Sequence, residues 1–557
     1  MDHLYAYRDQ GRLSAPCVDA ETAASDHSRS STPSRIRKEV LDLYDKAISS
    51  FYTGGESPRK PQSPRTERQA ETPIEEANVE GALPNQEEET EDSIVDWDGE
   101  SDRANPRKWP AWKKSLNVGI ITLTVFVVSF ASTVLIPAIP NITKDFSFDS
   151  YLTPFIVSAY LLGYALGPLL LFPLSEIYGR APMYHLCNLM FIGANCWCAS
   201  TFSLRALAGA RFLAGCGGST AIALAPSSIA DMFPQDKRGI PLTIIGVAFS
   251  LGSALSPMAA THVNEKWGWR WVFWGTAIIG AFCTIVASFS LKETHESVLL
   301  RRKAIKLRLI THNQRLRSRP EVISQLSPSQ RFVRSMKLPL FMLRSPPIFF
   351  TSYISAVNYG FMYILYITTP VTFSLKYQWS GTKFGYVYVG IAVGSLVGIL
   401  LGGVLSNAIV KARMKRGYEK AEIRLLPMIA FWPLVGMGLI FHAWTASKAV
   451  HWIWPLVGSG IFAAGASGTQ FFCISYILGS YTTYGTSGVG ASILIHSIIG
   501  GVLPLFSVKL YYRFGVGWSF TLLGLIDVVF FPLPYIFYRL GERMRGSFDR
   551  SLARSVG

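Results

Sequence analysis

Long apolar runs alternate with short polar intervals along most of this chain, and the alternation begins abruptly near Leu116. A helix needs about 20 residues to cross about 30 Å of hydrocarbon. Runs of that length fall near 116–138, 153–174, 184–203, 207–230, 241–262 and 271–291, then near 348–373, 384–407, 425–446, 452–477, 486–508 and 518–539. They predict twelve transmembrane helices. Buried strands would be shorter and bounded by turns, and an open sheet cannot satisfy its backbone polar groups in lipid. The expected fold class is therefore an all-α integral membrane protein. A polar stretch at 292–345 parts the first six runs from the last six, dividing 95–291 from 346–540.

The polar intervals are not equivalent. If the N-terminus is cytoplasmic, the intervals on that side carry 31 Lys and Arg against nine on the other, thirteen of them between Lys292 and Arg344. Positive charge is retained on the cytoplasmic side of membranes, so both termini are expected there. The sequon Asn141-Ile142-Thr143 falls in the first outside interval and makes Asn141 a candidate glycosylation site. Nothing near Met1 has the pattern of a signal peptide, and the run near Leu116 is expected to act as an internal insertion signal.

Composition sharpens this picture. Only 16% of the 557 residues are charged, where a soluble domain carries about a quarter. Residues 1–114 hold 23 acids and 16 bases, whereas the remaining 443 hold 14 acids and 37 bases. A polar, mildly acidic tail thus precedes a basic body. Residues 1–94 are rich in Ser, Pro, Glu and Arg and are expected to form a disordered cytoplasmic tail. Within it Ile36, Val40, Leu43, Ala47 and Phe51 recur at helical spacing, which fits either a short amphipathic helix or a transient one without a partner. Residues 541–557 form a second cytoplasmic tail.

Several functions are excluded. The bases sit in clusters between apolar runs rather than along one surface, so nucleic acid is not an expected partner. Seven cysteines lie mostly inside the runs, and Cys196 and Cys198 lack the spacing of a zinc site. No Gly-x-x-x-x-Gly-Lys-Ser/Thr loop occurs to hold nucleotide phosphates, and no nucleophile or metal cluster marks an enzyme. No cofactor is expected. The second run ends Phe172-Pro173-Leu174-Ser175-Glu176 and the eighth ends Gly403-Val404-Leu405-Ser406-Asn407, each followed by a basic interval. Two six-helix bundles related in this pseudo-symmetric way are the plan of major facilitator transporters.

Four segments make the likeness specific. Val95-Asp96-Trp97-Asp98-Gly99 with Asn105-Pro106-Arg107-Lys108-Trp109-Pro110 precedes the first run. Gly163-Tyr164-Ala165-Leu166-Gly167-Pro168 leads to Pro173-Leu174-Ser175-Glu176-Ile177-Tyr178-Gly179-Arg180. Arg211-Phe212-Leu213-Ala214-Gly215 is followed by Ile229-Ala230-Asp231-Met232-Phe233. Glu293-Thr294-His295 precedes Leu299-Leu300-Arg301-Arg302-Lys303-Ala304. In this order, over roughly 95–545, they resemble the major facilitator superfamily, and within it the fungal twelve-spanner drug:proton antiporters. The resemblance implies a monomeric, proton-driven exporter in the plasma membrane, a drug-resistance type of efflux pump. It would move drugs, toxins or secondary metabolites by alternating access.

Site residues follow from the same positions. Glu176 stands where the second run meets the cytoplasm, where a carboxylate can accept the positive N-terminal end of a helix. The resemblance implies that the helix is the eleventh, near residues 487–490, and that Arg180 pairs with Asp231, with Gly179 at the turn between. Arg211 is the only base inside the first six runs; exposed to lipid it would be costly, so it either faces the interior, where the family implies proton coupling, or snorkels outward. Asp527 lies mid-run among Leu525, Ile526, Val528 and Val529 and is a candidate proton or cation site, or a simple interhelical hydrogen-bonding group. His496 carries the side chain whose ordinary titration is nearest neutrality, although the family more often has Arg there. In the fifth run Gly252, Ser256 and Ala260 place a small residue every fourth position, and Pro257 supplies a kink; the family's repeated Gly-Pro is missing. Asn358, Tyr359, Tyr363, Gln470 and Tyr476 are polar or aromatic groups at membrane depth that suit a mostly apolar pocket. A polyamine or nutrient transporter of the same fold, or a non-transporting membrane sensor, are the competing readings. Cationic substrates would call for acids around the cavity, and Asp527 is the one mid-membrane acid in the sequence.

Overall fold

The computed structural model describes residues 94–99, 102–146, 153–323, 327–414, 421–481 and 485–556. Residues 1–93 of the expected tail, with the amphipathic segment at 36–51, lie outside the described residues. One compact unit covers 81–548; of a second, made of 1–80 and 549–557, only 549–556 are described.

Helices dominate. In chain order they are α1 (Ala111–Thr133), α2 (Ile139–Phe146), α3 (Thr153–Tyr178), α4 (Arg180–Ser200), α5 (Leu204–Met232), α6 (Gly239–Trp267) and α7 (Trp269–Ser290). The connecting segment holds α8 (Glu296–Thr311), α9 (Arg319–Ile323) and α10 (Pro328–Met342). Then follow α11 (Pro346–Tyr377), α12 (Val389–Met414), α13 (Leu426–Ser447), α14 (Ile453–Ser480), α15 (Gly485–Val502), α16 (Ser507–Phe530) and α17 (Leu533–Val556).

Ten segments among the described residues are long and apolar enough to cross a membrane. The twelve expected runs exceed that number for two physical reasons. The run at 184–203 does become α4, but Arg180, His185, Asn188 and Asn195 dilute its apolar character. The last two runs share one segment, Gly485–Gly546, interrupted by a 3-10 turn at Leu503–Phe506 and by Gly515 at φ 73°. The run expected at 518–539 is also cut, since α16 ends at Phe530 and α17 starts at Leu533. Pro532 lies in that gap; it lacks a backbone donor and disfavours helical geometry in the residue before it.

Lipid tails are as apolar as the helices, so the helices associate through close packing rather than a hydrophobic drive. Small residues make it feasible. A Cβ added at Gly252 on α6 would lie 2.5 Å from the carbonyl oxygen of Phe126 on α1, and one at Gly394 on α12 2.0 Å from that of Gly460 on α14. The α1–α6 crossing is also hydrogen-bonded: Thr133 Oγ1 donates to the Ser253 carbonyl at 2.6 Å and lies 2.7 Å from Ser256 Oγ. The two halves meet along α3 with α15 and α6 with α12. A buried cluster shared by both halves, including Leu135, Ile142, Trp269, Tyr363, Tyr366 and Tyr388, fills the face away from the basic intervals.

On the basic face, the two-residue strands β1 (Ile94–Val95) and β2 (Arg317–Ser318) pair in parallel. Around them Lys303 Nζ lies 2.7 Å from Asp98 Oδ1, and Arg319 Nη1 lies 3.0 Å from Asp96 Oδ2. The segment before α1 is thereby clasped to the segment that joins the halves.

Candidate functional site: a central cavity and its charged rim

A cavity of about 1560 Å³ runs between the halves. Lys237, Arg238, Asn407 and Arg424 line it on the basic face, and Tyr164, Phe249, Tyr359 and His496 line it in the interior. Among the described residues the opposite face is filled by the shared cluster, and the cavity opens toward the basic face. Its walls are mostly aliphatic and aromatic, and no Asp or Glu stands among the described lining residues.

Three of the expected residues come together here. The Tyr359 and His496 rings stack with centroids 3.7 Å apart, and Gln470 Nε2 lies 3.4 Å from His496 Nε2. Phe249 of α6 continues the stack onto Tyr359 at 6.4 Å, so aromatic rings from both halves share one wall. Ser497 adds a hydroxyl that lines the cavity yet has no hydrogen-bond partner among the described residues.

The other expected cavity residues lie elsewhere. Asn358 is buried beside this wall rather than on it, and both its amide atoms lack partners among the described residues. Tyr363 is buried and accepts a hydrogen bond from Tyr359 at 3.3 Å. Tyr476 is buried at the basic end of α14, beside Gly541 and Glu422. Helical phase accounts for these displacements. A polar residue at membrane depth must face protein, but its depth does not say which neighbour it faces.

The three coupling candidates occupy three different environments. Arg211 is fully buried, donating to the Ala131 and Ser132 carbonyls of α1 at 2.9 and 3.2 Å, with its guanidinium 4.2 Å above the Tyr160 ring. Those contacts overturn the snorkelling alternative. Asp527 is buried against Gly436 on α13, away from the cavity lining, and its backbone carbonyl accepts from Trp432 Nε1 at 3.0 Å. Of the three, only His496 lines the cavity.

The rim holds a knot of charge. Arg180 Nε lies 3.5 Å from Asp231 Oδ2, and Arg180 Nη1 donates to Ser175 Oγ at 2.5 Å. Glu293, which the sequence placed in a family segment but gave no role, accepts from four backbone amides: Arg180 at 2.9 Å, Ala181 at 3.2 Å, Thr294 at 3.0 Å and His295 at 2.8 Å. Two of these are otherwise unpaired amides at the start of α4, where negative charge is favoured. Gly179, at φ 106°, permits the approach, for a Cβ there would lie 2.3 Å from Glu293 Oε2. Beside it, partial burial and the Arg180 charge push the His295 imidazole down to about 3. The signals for Glu293 were the family segment Glu293-Thr294-His295 and the scarcity of acids in the body of the chain.

Glu176 differs from its expected arrangement. Its described hydrogen bond comes from Ser335 Oγ of α10, not from the start of α15. Helix α10 packs on both α3 and α15, with Pro339 against Gly490, so a helix of the connecting segment stands where direct contact was expected. Asn141 is exposed on α2, its amide donating to Asn264 Oδ1 at 3.1 Å.

Residues 121–504 match the family model described as Major Facilitator Superfamily. The chain is 36% identical to the MFS-type transporter atr4 of Stereocaulon alpinum over 463 residues, covering 83% of this chain and 84% of that one. It is 35% identical to the efflux pump radE of Floropilus chiversii over 469 residues, covering 83% and 87%. Among solved structures, the proton:xylose symporter XylE shares the fold at a TM-score of 0.56 and 15% identity, over 77% of this chain and 97% of that one. The match across most of the chain, on two helical halves enclosing one cavity, establishes that this protein is a multi-pass membrane transporter belonging to the major facilitator superfamily.

Proposed function

We propose that the protein is a proton-coupled exporter of small hydrophobic molecules in the plasma membrane, working by alternating access with both termini cytoplasmic. One observation carries the reading: among the described residues, a large, mostly apolar cavity between the halves opens toward the basic intervals and is closed on the opposite face. The excess of Lys and Arg makes that face cytoplasmic, so this is the state in which an exporter loads. Concave apolar surfaces with a few orienting polar groups suit small lipophilic molecules. Rocking the halves about the α3–α15 and α6–α12 seams would close the rim and part the shared cluster, presenting the load outside. His496 is the titratable group placed to link a proton to occupancy, with Arg211 as a fixed charge in the outer closure. Asn141, exposed on the outer side in this orientation, would carry a glycan. The absence of carboxylates from the described lining weighs against polyamines. The similarity to a protein named as an efflux pump supports the direction.

The test is accumulation of a panel of labelled lipophilic compounds in cells with and without the protein. Expressing cells should hold less of at least one compound, and a protonophore should erase that difference. Equal accumulation across the panel would defeat the reading.

A further inference from the structure

We propose that the cavity selects apolar acids: small molecules that join an aromatic or aliphatic body to a single carboxylate or comparable anionic group. The proposal rests on the export reading above and narrows its substrate class.

The charge distribution at the mouth is the first support. Lys237 is exposed there. Arg238 and Arg424 are held by neutral oxygens: Arg238 donates to the carbonyls of Phe233 and Ala230 at 3.0 and 3.1 Å, and Arg424 to the Ser475 carbonyl at 3.0 Å and its hydroxyl at 3.4 Å. These contacts fix the guanidinium groups without cancelling their charge. Among the described side chains near the mouth, Asp231 pairs with Arg180 at 3.5 Å and Glu422 with Arg545 at 3.0 Å. A cleft lined by one sign of charge, with low-dielectric walls, focuses the field and raises the local concentration of the opposite charge.

The interior is the second support. Past the mouth, the Phe249–Tyr359 wall offers area for an apolar body. Deeper, Gln470, His496 and Ser497 make a short polar strip. The Ser497 hydroxyl is 1% exposed and unpartnered among the described residues. A buried polar group left without a partner costs free energy, and a ligand oxygen arriving there removes the cost. Hydroxyl and amide donors would satisfy an acid's oxygens, whereas an ammonium group would find no carboxylate on the described lining.

The test uses the full chain in phosphatidylcholine nanodiscs and three probes on one skeleton: 1-naphthylacetate, 1-naphthylacetamide and 1-naphthylmethylamine. Calorimetric affinities should rank acid, amide, amine, with the acid bound about tenfold more tightly than the amide, the factor that 1.4 kcal/mol produces. Raising the salt concentration should shrink the preference for the acid, because partly exposed charges are screened. The double variant Lys237→Gln, Arg424→Gln should lower the acid-to-amide ratio to about threefold or less, while Lys237→Arg, Arg424→Lys should restore it, separating charge from misfolding. An amine bound as tightly as the acid, or no binding of any probe, would overturn the proposal. Parallel flux of the acid from proteoliposomes separates the two claims. Selective binding without protein-dependent flux counts against export alone, and flux without charge preference counts against selectivity alone.

Discussion

At the residue scale the rim depends on an exchange between one glycine and one acid. Gly179 adopts a φ of 106° and leaves room for Glu293, which in turn neutralises the amides opening α4. Gly179→Ala adds both backbone strain and a clash, at a cost of about 1–3 kcal/mol. We expect a lower midpoint in thermal unfolding of the detergent-solubilised protein, with Gly179→Asn less damaging only if the clash matters less than the strain. His295 makes a separate prediction. Its imidazole is held near 3, below its ordinary 6.5, so the folded protein keeps it neutral while the unfolded chain takes up a proton. That contribution to stability is complete above pH 6.5 and is lost as the pH falls toward about 3. Unfolding midpoints should therefore drop between pH 7 and pH 5, and the drop should be smaller in His295→Gln. The family pattern in the sequence included Arg180, Asp231 and Glu293, but it gave a role only to the first two. The role of Glu293 depends on a fold-back of the α7 exit onto the α4 start, 113 positions away.

Elements were more legible than their partners. Periodicity and length located the apolar helices, because any lipid-facing segment must satisfy its own backbone. The run at 184–203 became α4 although its polar residues, which face neighbouring helices, dilute the apolar signal, whereas Gly515 and Pro532 break the last two runs into pieces with other bounds. The polar composition of 292–345 concealed α10. This helix has a capping box at Ser327 and Gln330, and its Ser335 and Pro339 reach α3 and α15. Ser335 therefore supplies a partner to Glu176 that is gained or lost as one unit with α10. Replacing Ser335 by Ala should raise hydrogen exchange across 328–342 several-fold with little change in α3, since a single hydrogen bond is worth about 1 kcal/mol. Unchanged exchange in α10 would show that Pro339 and its neighbours hold the helix without the serine.

For the whole molecule, the faint repeat between Phe172–Glu176 and Gly403–Asn407 has a spatial counterpart. The end of α3 reaches α15 through α10, and the end of α12 meets the start of α6, where a Cβ on Gly239 would lie 3.0 Å from Asn407 Oδ1. The repeat was readable in sequence; the asymmetry was not. One seam is wedged by a helix, whereas the other contributes Asn407 and Gly239 to the cavity mouth. Which faces line the cavity also stayed hidden, since Tyr359 lines it while Asn358 and Tyr363 do not. That distinction belongs to rotations of whole helices.

The paired strands β1 and β2 have a mechanical corollary. By fastening residues 94–95 to 317–318, they anchor the linker to the first half well before it reaches the second. Only the 27 positions between Arg319 and Ser345 remain to act as a leash, and much of that length is coiled into α9 and α10. A coiled leash is short, at 1.5 Å per helical residue against about 3.3–3.6 Å when drawn out. How far the halves can swing is thus set by whether α10 stays wound. A disulfide between Val95→Cys and Ser318→Cys should leave flux intact, whereas a staple that prevents α10 from unwinding should slow it.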